Sequence, residues 1–178
     1  MSESACSLGD FYAERAFESD AVYREPQRQA DLARLRQLLP ALVTGKRVLE
    51  VAAGSGYWTQ LLATTAAAIT ATDANAEMIA IAAQRDHGPA PVSLRTAGPY
   101  EAAAHECDLI FCAFWWSRAD LPRFLAALRP GTGLVLLADR SPDGNEQLTA
   151  WLQSAATDLE WTELDTYRLA TCVRRDPG

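Results

Sequence analysis

The chain has few of the residues from which metal sites and nucleic-acid surfaces are built. Its 178 residues include only 2 histidines, and its 4 cysteines form no C-x-x-C pair, so the ligand spacings of zinc sites are missing. Lysine and arginine total 16 against 23 acidic residues, a net charge of −7. Because phosphate backbones are bound by basic faces, we expect neither a metal nor a nucleic acid, and small molecules remain as partners.

Long apolar runs are also missing. No stretch approaches the roughly 18 apolar residues that cross a membrane, and residues 1–10 carry acidic side chains and no signal-peptide core. We expect the cysteines to be buried free thiols in a reducing compartment, because most of them lie in apolar runs. These residues are Cys6, Cys107, Cys112 and Cys172. The composition therefore predicts a cytoplasmic protein with a single globular domain.

The clearest signal lies in residues 48–58. An apolar strand containing Glu50 runs into a turn with Gly54 and Gly56, and the turn opens an amphipathic helix. Asp73 ends the next apolar run. Glycines let a ligand approach the backbone, and a carboxylate at the next strand end can accept hydrogen bonds from ribose hydroxyls. The pattern predicts a nucleoside pocket at the carboxyl edge of a parallel sheet.

The spacing of this turn argues against a dinucleotide. A dehydrogenase fingerprint needs a third small residue where the helix packs against the strand. That position is Thr59 in one register and Tyr57 in the other, and neither residue is small. A dehydrogenase is therefore the least favoured interpretation.

The run Glu50-x-Ala52-x-Gly54-x-Gly56 resembles motif I of the class I S-adenosylmethionine (SAM) dependent methyltransferases. Ala52 takes the place of a glycine in that motif, and we expect its methyl group to keep this residue at negative φ. The resemblance extends over residues 40–175. It implies a Rossmann-like α/β fold, with a mostly parallel sheet, a C-terminal antiparallel hairpin and helices on both faces, and it implies SAM as the cofactor.

Hydrophobic periodicity predicts alternating strands and helices. Strands are expected at 48–52, 68–72, 92–96, 108–114 and 134–138, with a hairpin at 161–166 and 169–174. Helices are expected at 56–65, 76–84, 121–128 and 146–155, the second of them capped by Asn75. Residues 8–39 are predicted to be helical, with Leu32, Leu35 and Leu39 packed on the sheet. Residues 1–39 would form a lid over a SAM-binding part at 40–178, within one compact domain.

The resemblance implies a set of cofactor contacts. Asp73 would accept hydrogen bonds from both ribose hydroxyls, Glu50 would hold the loop and the cofactor amine, and Ala74 and Met78 would pack on the adenine. The glycine-rich turn and a phenylalanine at a strand end complete the expected site: Ala52, Ala53, Gly54, Ser55, Gly56, Tyr57 and Phe114.

Three of these residues have alternative roles. Asp73 can serve as a carboxylate at a helix N-terminus, Glu50 can form an ion pair with the N-terminal helices, and Met78 can be ordinary core. The loop 96–101 lacks the acidic or polar residue that commonly reads the adenine amino group in the family. Backbone groups, Tyr100 or Glu101 would have to replace it.

Four residues are candidates for the acceptor side of the site. Tyr12 and Tyr23 lie in the predicted lid and have hydroxyls that need partners. Trp115 follows the fourth strand, where its ring can attract a sulfonium or an amine. Asp139 follows the fifth strand and can bind or deprotonate an acceptor, or it can be a turn carboxylate paired with an arginine. Tyr167 is a weaker candidate from the same edge.

No general base stands out, because His87 and His105 are both expected at the surface. The sequence predicts a SAM-dependent methyltransferase acting on a small molecule, with in-line transfer promoted by proximity and desolvation. One alternative is an enzyme of the same fold that uses SAM for a non-methylating displacement. Another is a non-catalytic SAM-binding partner of a second subunit.

Overall fold

The structure, a computed structural model, describes residues 8–102, 106–114, 121–140 and 145–176. Its strands are β1 (Arg47–Val51), β2 (Ala68–Asp73), β3 (Val92–Thr96), β4 (Leu109–Ala113), β5 (Gly133–Asp139), β6 (Ala156–Glu163) and β7 (Tyr167–Arg174). Its helices are α1 (Leu8–Ser19), α2 (Gln29–Val43), α3 (Tyr57–Leu62), α4 (Ala76–Ala82), α5 (Pro99–Ala102), α6 (Leu121–Ala127) and α7 (Asn145–Ala155). Two 3-10 turns, Asp20–Arg24 and Pro26–Arg28, join α1 to α2.

The strands form one seven-stranded sheet in the order β3-β2-β1-β4-β5-β7-β6. The five strands β1 to β5 are parallel to one another, whereas β7 is antiparallel to both β5 and β6. This is the fold class that the sequence predicts. The chain order reverses between β1 and β4, and such switch points open a crevice at the carboxyl ends of the strands.

Both faces of the sheet are covered by helices, because the central strands are apolar on both sides. Alternate residues of β1 show the division: Val48 packs in the core shared with α2 and α3, while Leu49 and Val51 pack in the core shared with α6 and α7. Successive strand residues point to opposite faces, so Glu50 points to the same side as Val48. A carboxyl group is therefore placed inside an apolar core.

The N-terminal helix α2 packs on the sheet as expected. Leu32, Leu35 and Leu39 are completely buried, and the helix continues through Pro40 to Val43, beyond the predicted end. At its start, Asp31 accepts hydrogen bonds from the Thr166 amide and hydroxyl, both at 2.6 Å. Although burial acts to raise the pKa of Asp31, these bonds hold it below its ordinary value. The start of α2 is thereby fixed to the β6–β7 turn at the carboxyl edge.

Most predicted elements are confirmed, and the differences have local causes. Strand β6 spans 156–163 and not 161–166, because its exposed polar residues hide the strand pattern and residues 164–166 form the turn. Helix α3 starts one residue later than predicted, since Gly56 has φ +80° and caps it, and the short helix α5 was not predicted. The capping role of Asn75 is confirmed: its side chain accepts the Glu77 amide at 2.9 Å. Within the described part of the chain, no helix has the length and apolar character of a membrane span.

The turn after β1 contradicts the expectation for Ala52. This residue has φ +56°, in the left-handed region that costs an L-residue about 1–2 kcal/mol. The expectation of negative φ was wrong because the turn geometry, and not the side chain, sets this angle. The glycine found at this position in motif I adopts such a positive φ without strain, whereas Ala52 adopts it only under strain.

We expect Ala52→Gly to raise the free energy of unfolding by up to about 1 kcal/mol, because relief of the strain exceeds the added flexibility of the unfolded chain. Urea unfolding followed by circular dichroism measures the change. The matched control is Ala53→Gly: Ala53 is buried and is not among the positive-φ residues, so this variant should lose about 1 kcal/mol or more. Equal losses in both variants would contradict the assignment of strain to Ala52.

Candidate functional site

Asp73 joins the two segments that meet at the end of β2. Its Oδ2 accepts the Gly54 amide at 2.9 Å and its Oδ1 accepts the Asn75 amide at 2.8 Å. A carboxylate has about four lone-pair sites, so about two remain for a ligand. Asp73 therefore fixes the glycine-rich turn, a role that the sequence did not predict for it, and the predicted ribose contact would use the remaining lone pairs.

A cavity of about 140 Å³ lies beside this carboxylate. Its lining consists of Val51, Ala52, Asp73, Ala74, Ala97 and Pro99. Pockets for whole ligands are typically about 300–1,000 Å³, so this cavity can accommodate only part of a nucleoside cofactor. The structure thus brings together Ala52, Asp73 and Ala74, which the sequence placed at one site, whereas Met78 is half-buried on α4 and does not line this cavity.

Sequence reasoning missed Ala97 and Pro99. The Ala97 amide donates to the Asp73 carbonyl at 3.0 Å, so the backbone after β3 is held against the end of β2. Glu101, a predicted substitute for the adenine contact, accepts the Gly98 amide at 3.0 Å, and Tyr100 packs under the Arg123 guanidinium at 4.1 Å. The loop therefore lines the cavity with the small apolar side chains of Ala97 and Pro99. The sequence signal for this was the missing polar residue in loop 96–101.

Glu50 is almost completely buried below the glycine-rich turn. Burial raises the pKa of Glu50 to about 8; the Thr59 hydroxyl acts in the opposite direction and the Asp73 charge adds to the rise. Its Oε2 has no hydrogen-bond partner among the described residues, and none of the ion pairs found there involves it. The alternative ion pair with the N-terminal helices is thus not found there. A buried acid without a partner fits a ligand that carries an ammonium group, as SAM does.

Ser55 is held from outside the turn by two residues that the sequence did not suggest. Its hydroxyl donates to Asp20 at 2.8 Å, and its carbonyl accepts the Nε–H of Arg85. Arg85 also pairs with Asp20 at 2.6 Å. Asp20 belongs to the 3-10 turn after α1, so the N-terminal segment touches the predicted cofactor loop through this network.

Gly56 caps α3 in a position where a side chain would be strained and crowded. Its φ is +80°, and a Cβ there would lie 3.0 Å from Ala82 Cβ and 3.2 Å from His87 Cε1. His87, expected at the surface, is half-buried with its Nε2 2.7 Å from the Ala82 carbonyl. The expectation was wrong because its ring packs behind the glycine-rich turn; His105 lies outside the described residues.

An aromatic cluster lies next to the turn at the carboxyl edge: Tyr23, Tyr57, Trp58, Phe114 and Tyr167. Tyr23 stacks on Tyr57 with ring centroids 3.9 Å apart, and Phe114 lies 5.6 Å from Tyr167. Phe114 has φ +59°, so the backbone bends sharply where β4 ends. Tyr57 and Phe114, both predicted to contact the cofactor, thus lie next to Tyr23 of the N-terminal segment.

The acceptor-side candidates have different surroundings. Tyr23 accepts the Trp58 Nε1–H at 3.0 Å, and burial raises its pKa. Asp139 pairs with Arg28 at 2.6 Å, and Arg28 also pairs with Glu25 at 2.8 Å. The arginine partner expected for Asp139 thus exists, but it comes from the N-terminal segment. Trp115 and the side chain of Tyr12 lie outside the described residues.

Comparison with known proteins agrees with this geometry. Residues 48–133 match the family described as "Methyltransferase domain". No match is found among curated protein sequences.

Solved structures give extensive matches. The chain is similar to the DhpI–SAH complex, with 27% identity, 96% of each chain covered and a TM-score of 0.70. It shares the fold of the N-methyltransferase NodS from Bradyrhizobium japonicum WM9 bound to S-adenosyl-L-homocysteine (SAH), with 19% identity over 86% of this chain and 90% of that one, TM-score 0.69. A Streptococcus thermophilus rRNA methylase also shares the fold, at 15% identity, 86% and 98% coverage and TM-score 0.58.

The matched domain contains both the glycine-rich turn and Asp73, and the neighbours include methyltransferases bound to SAM or SAH. The buried acid and the free lone pairs of Asp73 fit that cofactor. This chain contains a methyltransferase domain at residues 48–133 and is a SAM-dependent methyltransferase with a Rossmann-like fold.

Proposed function

We propose that the protein methylates a small-molecule acceptor, bound between the aromatic cluster and the glycine-rich turn. The observation that carries the proposal is the N-terminal cover of this edge. Asp20 is bonded to the turn, Arg28 to the end of β5, and Asp31 to the β6–β7 turn. A substrate that must fit beneath these three contacts is small. The net charge of −7 further disfavours a nucleic-acid acceptor.

The cofactor contacts follow from the geometry around Asp73. We assign the ribose hydroxyls to the free lone pairs of Asp73 and the adenine to the cavity beside Ala74, Ala97 and Pro99. The amino-acid end lies along residues 52–56, above Glu50. In this arrangement the ammonium group approaches the one carboxyl oxygen of Glu50 that has no protein partner among the described residues.

Catalysis rests on positioning. Bound SAM would supply an electrophilic methyl group on a sulfonium, and the positive charge on the sulfur would be lost during transfer. The residues of the turn and the aromatic cluster hold the reacting atoms in line at about 3–3.5 Å and keep water out. Asp139 is engaged with Arg28, so we assign it to closing the site and do not assign it the role of general base.

The N-terminal residues 1–39 act in this proposal as a lid over residues 40–178. The connection between α1 and α2 contacts the rest of the molecule through the ion pairs of Asp20 and Arg28 and through the ring of Tyr23, which stacks on Tyr57. The leucines of α2 are completely buried. We therefore expect the lid to open at the 3-10 turns, with α2 remaining in place.

Titration with SAM and with SAH, followed by analysis of the products with small acceptors, tests the proposed function. We expect saturable binding of both ligands and formation of SAH with a suitable acceptor. Methylthioadenosine as the product would indicate a displacement other than methyl transfer. The absence of binding heat and of any thermal shift with either ligand would contradict the proposal.

We expect Asp73→Asn to weaken SAM binding by about 10- to 100-fold, because a neutral amide replaces charge-assisted hydrogen bonds worth roughly 1.5–3 kcal/mol each. Isothermal titration measures the dissociation constant. Asp86→Asn is the control: Asp86 is exposed, and its carboxylate accepts the Gly88 amide in its own turn. An unchanged constant in a folded Asp73→Asn variant would rule out the ribose contact.

The raised pKa of Glu50 predicts a pH dependence. The folded protein holds this proton more tightly than the unfolded chain, so the contribution of Glu50 to stability is complete below about pH 4.5 and is lost as the pH rises through about 8. Glu50→Gln cannot ionise. Relative to wild type, the variant should gain on the order of a few kcal/mol in unfolding free energy between about pH 5 and pH 9.

Urea unfolding of both proteins across this range measures the difference, which should grow with pH. Asp108→Asn is a control of opposite sign, because hydrogen bonds from Arg47 lower the pKa of Asp108; its effect should fade on acidification. A wild-type minus Glu50→Gln difference that does not vary with pH would show that Glu50 is not an uncompensated buried acid.

A further inference from the structure

The aromatic cluster contains three tyrosine hydroxyls, and two of them already have partners. The Tyr23 hydroxyl accepts the Trp58 Nε1–H at 3.0 Å, and the Tyr57 hydroxyl accepts an N–H of Arg36 at 3.1 Å. The hydroxyl of Tyr167 is buried and has no hydrogen-bond partner among the described residues. Tyr167 itself has no exposed surface.

An unpartnered buried hydroxyl is costly, at roughly 1–3 kcal/mol, and needs an explanation. Arg28 lies close by, with its guanidinium carbon 5.0 Å from the Tyr167 ring centroid, and it makes hydrogen bonds to Glu25 and Asp139. Burial raises the pKa of the Tyr167 hydroxyl, while Arg28 acts in the opposite direction. The group is therefore a neutral phenol at neutral pH, able both to accept and to donate a hydrogen bond.

The position of Tyr167 places this hydroxyl on the acceptor side of the site. Tyr167 opens β7 directly opposite Asp139 in the sheet register, at the carboxyl edge. The ring of Phe114, where β4 ends, lies 5.6 Å from that of Tyr167 and 6.5 Å from that of Tyr23. Tyr23 in turn stacks on Tyr57, the first residue of α3 after the glycine-rich turn.

On the basis of the proposed function, we infer that the Tyr167 hydroxyl holds the methyl acceptor by accepting a hydrogen bond from its N–H or O–H group. When the N–H or O–H group of the acceptor donates a hydrogen bond to the phenol oxygen, the lone pair on the acceptor nitrogen or oxygen stays free for the methyl carbon. Tyr167 is then a positioning residue that selects an amine or a hydroxyl as the acceptor group.

The charges near Tyr167 support this selection. Arg28 is already paired with the carboxylates of Glu25 and Asp139, so an anionic acceptor would meet two negative groups and a cation whose hydrogen bonds are in use. A neutral amine or hydroxyl meets no such repulsion and keeps the lone pair that methyl transfer needs. A carboxylate acceptor is therefore disfavoured.

The first test is the stability of the free protein. Tyr167→Phe removes a hydroxyl that has no structural partner, so we expect its Tm to be unchanged or to rise by about 2 °C. Tyr23→Phe removes a hydroxyl bonded to Trp58 and should lower the Tm by a similar amount. A fall in Tm for Tyr167→Phe equal to that of Tyr23→Phe would show a structural hydroxyl and overturn the inference.

The second test uses three probes that share one ring and differ in the polar group: benzylamine, benzyl alcohol and benzoate. Binding to the SAH-loaded protein is followed by ligand-detected NMR titration. We expect the amine and the alcohol to bind, and to bind roughly 3- to 10-fold more weakly to Tyr167→Phe, while benzoate binds least. Preference for benzoate, equal binding by both proteins, or no binding of any probe would overturn the inference.

SAH titration of the same samples separates this inference from the proposed function. Tyr167→Phe should bind SAH as wild type does, because the cofactor contacts lie at Asp73 and Glu50. Failure of the wild-type protein to bind SAH would contradict the proposed function itself. Normal SAH binding, with no effect of Tyr167→Phe on binding of the probes, would contradict only the inference.

Discussion

The carboxylate of Asp73 is the point on which the cofactor corner depends. It accepts one amide from the glycine-rich turn and one from the start of α4, so two segments that follow different strands share one anionic group. Charge-assisted bonds of this kind are stronger than neutral ones, and they fix the distance between the turn and the adjacent strand end. In the proposed function the remaining lone pairs of the same atoms bind the ribose, so one side chain would serve both the scaffold and the ligand site.

The acids near the carboxyl edge fall into two groups. Asp20, Asp31 and Asp73 accept hydrogen bonds from hydroxyls, amides or a guanidinium, and each connects segments distant in sequence. Glu50 has one oxygen without a partner among the described residues, although its burial makes ionisation expensive. This contrast with the other three acids supports the proposal that Glu50 binds the ammonium group of the cofactor.

The sequence was sufficient to predict the fold class, most of the helices and the proximity of the glycine-rich turn to Asp73, because these features depend on local periodicity and on a short motif. It was insufficient where distant segments meet. Asp20 and Arg85 converge on Ser55, and Arg28 reaches Asp139, over separations that no local pattern encodes. The angle at Ala52 was misjudged for a related reason: the turn between two strands determines the backbone, and the side chain adapts to it.

The bonds from Arg28 to Asp139 and from Thr166 to Asp31 join residues 111 and 135 positions apart. During synthesis the N-terminal segment emerges long before these partners do. The apolar face of α2 therefore cannot complete its packing until the strands of the sheet beneath it have been synthesised. A nascent chain that already contains the central strands β1 to β4 therefore still lacks the partners of Arg28 and Asp31 at the carboxyl edge.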